Sequence, residues 1–136
     1  QATLNLESKE QSLSLDGEKQ DDLDNTLFHQ GTIRSGEHLE AEGDLLVIGD
    51  INPGGQVSAE GDVMIWGRLR GIAHAGKSGN ENAKIIALQL RPLQLRIAQK
   101  VARGPSDKPE PGLAEEAIVE SGRIVIKPAI PKSHKR

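Results

Sequence analysis

Between residues 39 and 71 apolar and small side chains occupy alternate positions, and the pattern occurs twice. Leu39, Ala41, Gly43, Leu45, Val47, Gly49 and Ile51 form the first set; Val57, Ala59, Gly61, Val63, Ile65, Gly67 and Leu69 form the second, eighteen residues on. A period of two places such residues on one face of an extended chain. Identity repeats along with polarity, because Ala-Glu-Gly-Asp stands at 41–44 and again at 59–62. Glycine recurs where a strand must bend or lie close against another backbone. A repeat this short is the signature of a solenoid. A sheet of hairpins would need tight turns between antiparallel strands, yet Asn52-Pro-Gly-Gly55 is the one strong turn cluster between the copies. Each copy is therefore read as one coil of an all-β helix, with Ala41 and Ala59 as vertical neighbours in a parallel wall.

The pattern continues less regularly in both directions. Ala73 and Ala75 extend the inward set, the polar stretch Gly76-Lys-Ser-Gly-Asn-Glu-Asn82 leaves it as a loop, and Ala83, Ile85 and Ala87 resume it. Pro92 ends that run. Leu93, Leu95 and Ile97 alternate again, although residues 90–101 read equally well as a short helix. Residues 104–112, with three prolines, are a loop, and 118–126, bent at Ser121-Gly122, give a final strand or pair of strands. Residues 1–30 hold neither period for long and are too polar to offset the entropy of ordering, so they are read as an acidic tether. The predicted organisation is thus a linker over 1–30, a β-helix over 31–126 and a basic tail over 127–136.

Composition narrows the classes. The chain has 136 residues, which is one domain by length, and it begins at Gln1 rather than Met, so it is expected to be a fragment. Phe28 and Trp66 are its only aromatic residues, and fifteen glycines suit a narrow interior filled by Val, Ile, Leu and Ala. Without cysteine there is no disulfide framework, thiolate metal site or thiol nucleophile. No apolar run approaches the length of a membrane span, and there is no signal-peptide pattern. The net charge of −3 hides an asymmetry: seven acids against Lys9 and Lys19 in residues 1–30, ten bases against five acids in 91–136. Lys127, Lys132, Lys135 and Arg136 read as a solvated end rather than a nucleic-acid contact, because no aromatic side chain is interleaved with them.

Chemistry is scarce. His38 and His74 have no partners at zinc-ligand spacing. Glu42, Asp44, Glu60 and Asp62 could stack as paired carboxylates, but repetition of a polar corner already explains them. Ser35, Ser58 and Ser78 lack a triad context, and there is no phosphate-binding P-loop. The chain is therefore read as no enzyme, with no metal, no cofactor and no nucleic-acid partner. Two features point to association instead. Leu46, Ile48, Met64, Trp66, Ile86 and Leu88 face outward and align across coils, as the interface of a two-fold homodimer would, or as a bed for a C-terminal segment of the same chain. The corner groups Arg34-Ser-Gly-Glu37, Asp50-Ile-Asn-Pro-Gly54 and Arg68-Leu-Arg-Gly71 collect arginine and glycine at strand ends, where a partner's carboxylate could be gripped or where backbone turning alone suffices.

Several collinear blocks are familiar. Arg34-Ser-Gly resembles the Arg-Ser-Gly-Gln element that opens the C-terminal domain of the septum-site-determining protein MinC. Gly49-Asp-Ile-Asn-Pro-Gly54, Ala59-Glu-Gly-Asp62, Trp66-Gly-Arg-Leu-Arg-Gly71 and Ala73-His-Ala-Gly-Lys-Ser-Gly-Asn-Glu-Asn-Ala83 look like successive blocks of that domain in the same order, and Gly122-Arg-Ile-Val-Ile126 resembles its closing strand. The likeness covers about residues 31–100, and is to the cyanobacterial type. It implies a right-handed parallel β-helix of triangular section, with about three to four coils, that forms a homodimer. It also implies binding to the membrane-associated ATPase MinD and antagonism of FtsZ ring assembly at the wrong place. The protein would be cytoplasmic and reach the inner face of the membrane only through that partner. The resemblance carries the MinD contact to Arg34, Ser35, Gly36, Glu37, Asn52, Gly54, Arg70 and Gly71. Glu37 stands where the pattern has Gln, and Ile72 where many relatives have Arg. The family's separate N-terminal domain, which carries much of the FtsZ inhibition, has no counterpart in residues 1–30, so direct inhibition is expected to be reduced or absent. Two alternatives share the β-helix: a bactofilin-like cytoskeletal scaffold, disfavoured by the irregular third coil, and a hexapeptide-repeat acyltransferase, disfavoured by the lack of a six-residue register.

Overall fold

The computed structural model describes residues 25–104 and 113–129, and every regular element among them is a strand. In chain order these are β1 (Leu27–Gln30), β2 (His38–Ala41), β3 (Leu45–Ile48), β4 (Gln56–Ala59), β5 (Val63–Leu69), β6 (Ile72–Ala75), β7 (Ile85–Leu90), β8 (Gln94–Ile97), β9 (Lys100–Ala102), β10 (Glu115–Glu120) and β11 (Arg123–Pro128).

The repeat becomes stacking. β1, β3, β5 and β7 pair in parallel as one wall, and β2, β4, β6 and β8 as a second. A third, narrow wall consists of parallel bridges from Ile33 to Ile51 and from Ile51 to Leu69, continued by Leu69 opposite Leu90. Each coil therefore has three sides, and the expected β-helix is present. Ala41 lies opposite Ala59, as the eighteen-residue offset requires. Inward residues form closed columns: Leu45, Val63 and Ile85 in one, Ile51, Leu69 and Leu90 in another, all at 0 % exposure. Burying one such side chain contributes about 1.5–3 kcal/mol. Leu39, in the first coil, is only partly buried, because no winding among the described residues covers it from below.

Gly67 shows why a corner repeats glycine. A Cβ there would run into the carbonyl oxygen of Gly49, and one on Gly49 would meet that of Gly31. Coils approach closely along this column.

Residues 76–82 leave the third coil as a loop, after which Ala83, Ile85 and Ala87 return to the core. The helical alternative for residues 90–101 does not hold. Leu95 and Ile97 pair with Ala73 and Ala75 in the second wall, so tertiary registration selects the strand. Stacking then stops by reversal of direction. β9 folds back antiparallel on β8, and β10 runs antiparallel to β7 and to β11. Ser121 and Gly122, at φ 55° and 81°, make the tight turn between β10 and β11. Ala117 is buried, and Val119, Ile124 and Ile126 pack against the core. This hairpin caps the end of the stack.

Two boundaries differ from the sequence expectation. The folded part starts with β1 inside the stretch read as a tether, because Leu27–Gln30 pair with Leu45–Ile48. At the other end Lys127 and Pro128 belong to β11 rather than to the basic tail. The remainder of the tether (1–24), most of the proline-rich loop (105–112) and the rest of the tail (130–136) lie outside the described residues.

Candidate partner-binding surfaces

The corner between the narrow wall and the second wall is built by stacked turns. Arg34, Ser35, Gly36 and Glu37 form the first, closed by the Glu37 N–H donating to Arg34 O at 2.9 Å. Asn52, Pro53, Gly54 and Gly55 form the second, closed by the Gly55 N–H donating to Asn52 O at 2.8 Å. Gly36 and Gly54 have φ of 87° and 89°, the left-handed third position of a type II turn, and Pro53 precedes its glycine as that turn favours. The Gly36 N–H donates to Gly54 O at 2.9 Å, so one turn lies on the other. Gly54 abuts the Ser35 side chain, leaving no space for a Cβ. Above them the chain passes through Arg70 and Gly71 in a shorter turn. Gly71 is buried against the carbonyls of Gly55 and Asn52, so it supplies close stacking rather than exposed surface.

Backbone bonds hold Arg34, Asn52, Arg70 and Arg91 in one column. The Asn52 N–H donates to Ile33 O (2.8 Å), that of Arg70 to Ile51 O (2.8 Å), and that of Arg91 to Leu69 O (2.9 Å). All the residues assigned to partner contact by resemblance thus lie at one corner. Its cations differ in state. Arg68 is held by Asp50, with its N–H at 2.8 Å and Nη2 at 2.9 Å from the carboxylate. The Arg68 side-chain bond first, then its backbone bond, hold the Asp50 carboxyl below the usual carboxylate range. Arg34 and Arg70 are exposed, and neither side chain makes an ion pair with a described carboxylate. Among the described residues, two guanidinium groups without an ion-paired fork therefore flank Asn52, and Arg70 acts on Asp50 only through its charge.

The outward face of the first wall is apolar. Leu46, Met64 and Ile86 form one column, and Ile48 and Trp66 stand opposite each other in the next. Leu46, Met64, Trp66, Ile86 and Leu88 line a groove of about 470 Å³, bordered by Ala114 and Ala129. Trp66 is 63 % exposed and Leu88 40 %. Among the described residues the C-terminal segment reaches this groove at Ala114 and Ala129, while β10 and β11 continue the wall edgewise. Sequence reasoning missed Phe28. It pairs with Leu46, is 56 % exposed and carries the stripe onto the first coil. Extending the eighteen-residue offset back from Leu46 finds it.

Of the remaining polar candidates, Asp44, Asp62, His38, Ser58 and His74 have structural partners. Asp44 Oδ1 accepts the Asp62 N–H at 2.8 Å, and Asp62 Oδ1 accepts the Lys84 N–H at 3.0 Å, so the repeated Glu-Gly-Asp ties each coil to the next. His38 Nε2 lies 3.2 Å from Ser58 Oγ, and His74 Nε2 3.0 Å from Ala98 O. Among the described residues no three His, Asp or Glu side chains converge as metal ligands, and no helix is long and apolar enough to cross a membrane.

Comparison with known proteins agrees with this architecture. The family model described as "Septum formation inhibitor MinC, C-terminal domain" matches residues 27–129, which includes β1. A probable septum site-determining protein MinC from Prochlorococcus marinus (strain MIT 9313) is 72 % identical over 103 residues, 76 % of this chain and 46 % of that protein. Its counterpart from Thermoanaerobacter sp. (strain X514) is 52 % identical over 103 residues, 76 % of this chain and 48 % of that one. The chain thus spans about half the length of the curated relatives it matches. A chain of the solved MinC:MinD cell division protein complex of Aquifex aeolicus superimposes with a TM-score of 0.73 at 37 % identity, covering 78 % of this chain and 88 % of that one. On the strength of the coil repeat, the stacked corner and these matches, the chain belongs to the MinC family, in which residues 27–129 are the C-terminal domain.

Proposed function

We propose that this chain is the dimerising and docking part of a septum-site inhibitor and has no catalytic role. Its partner is a MinD-type membrane-associated ATPase, which recruits it from the cytoplasm to the inner face of the membrane. Concentrated there, the inhibitor opposes FtsZ assembly at the wrong division sites. The observation that carries the docking reading is the stacked corner, where the guanidinium groups of Arg34 and Arg70, in no ion pair among the described residues, flank Asn52 on a stack of hydrogen-bonded turns. Arginine forks suit planar carboxylates, and a preformed turn lowers the ordering cost of association. The solved relative of similar fold comes from a MinC:MinD complex, which supports the choice of partner. Homodimerisation is assigned to the apolar face of Leu46, Ile48, Met64, Trp66, Ile86 and Leu88, extended by Phe28. A bactofilin-like scaffold is disfavoured, because an antiparallel hairpin caps one end of the stack where a polymer would need an open coil.

Arg34→Ala tests the docking site by co-sedimentation with the nucleotide-loaded ATPase. The variant is expected to keep its circular dichroism spectrum and its oligomeric state and to lose binding. Binding equal to that of the unaltered chain would remove the assignment.

A further inference from the structure

The narrow wall has a hydrogen-bond ladder with one donor at its lower end. In the upper coils the N–H that follows the buried aliphatic residue donates to the coil beneath: Asn52 to Ile33 O, Arg70 to Ile51 O, Arg91 to Leu69 O. Arg34 occupies the same position in the first coil, and no described coil lies below it. Its N–H instead donates to Glu37 Oε1 at 2.7 Å. The Glu37 N–H in turn donates to Arg34 O at 2.9 Å, so the two residues are joined reciprocally across the turn. In a helix capping box a glutamate or glutamine three residues on likewise accepts the backbone N–H, and either side chain offers the acceptor oxygen.

We infer that Glu37 is a positioning residue: its carboxylate accepts the N–H that in the upper coils is taken by the carbonyl of the coil beneath, fixes the backbone of Arg34, and so presents that guanidinium to the partner without touching the partner itself. This rests on the docking role proposed for Arg34. It also accounts for a glutamate where the family resemblance has glutamine, since the acceptor is what the turn requires and Glu37 is already engaged within its own chain.

The test uses Glu37→Ala and Glu37→Gln in the full chain, with Arg34→Ala alongside. Amide hydrogen exchange at Arg34, measured without partner, reads the turn directly. Glu37→Ala is expected to speed that exchange about tenfold, and Glu37→Gln to leave it unchanged. Affinity for the nucleotide-loaded ATPase should fall about three- to tenfold in Glu37→Ala and stay within about twofold in Glu37→Gln. Unchanged Arg34 exchange in Glu37→Ala overturns the inference. Equal loss of binding in both Glu37 variants also overturns it, because the carboxylate would then be a contact in its own right. Loss in Arg34→Ala without loss in Glu37→Ala overturns the positioning role alone, whereas an Arg34→Ala variant that binds normally removes the docking reading on which it stands.

Discussion

At the scale of single residues, aspartate repeats because its short carboxylate reaches a backbone N–H one coil ahead. Asp44 accepts from Asp62 N–H, Asp62 from Lys84 N–H, and Asp50 from both the backbone and the guanidinium of Arg68. The sequence displays these acids as a repeated motif, which reads as a polar corner occurring once per coil. It does not reveal the acceptor role, which depends on the distance between coils. The Asp50 carboxyl is held below its ordinary value by Arg68, so its contribution to stability is complete above about pH 4, where the unfolded chain is also ionised. That contribution disappears as the pH falls through the lowered folded value. Asp50→Asn should therefore lower Tm at pH 7, and the gap to the unaltered protein should close as the pH drops below about 4. A gap that stays constant from neutral to strongly acidic pH would contradict this account.

At the scale of elements, a coil is specified by alternation along its strands and by small residues at its corners. The middle coils are legible because both signals occur in full. β1 is not: Leu27-Phe-His-Gln30 lacks an alternation of its own, and only pairing with Leu45–Ile48 makes it a strand. Residues 90–101 are ambiguous for a related reason, since a short apolar run fits either period until a neighbouring wall supplies a register. The corner column is the sharpest constraint on an element. Because a Cβ on Gly67 would collide with Gly49 O, Gly67→Ala must push two coils apart. The expected cost is about 1–3 kcal/mol, read as a lower urea midpoint with an unchanged slope. An unaltered midpoint would show that the corner yields without strain.

For the molecule as a whole, three walls leave three outer surfaces of different character. One is apolar and open along Phe28, Leu46, Met64 and Ile86, with Trp66 beside them. If it is the homodimer face, Trp66→Asp places a carboxylate in a dry interface and should yield a monomer of unchanged fold by light scattering. A variant that remains dimeric would place the interface elsewhere. The stacked turns form the corner between the other two walls, so the docking and dimer roles proposed for this chain fall on different residues and mutation should separate them. The eighteen-residue repeat by itself determined the parallel coil, its inward set and the outward stripe, because these follow from local periodicity and a fixed offset. Tertiary structure alone decided that β1 joins the stack and an antiparallel hairpin ends it, that Glu37 bonds back to Arg34, and that Arg68 is ion-paired with Asp50 while Arg34 and Arg70 pair with no described carboxylate. Those outcomes depend on which groups meet across coils, and side-chain direction and end effects are not periodic properties of a chain.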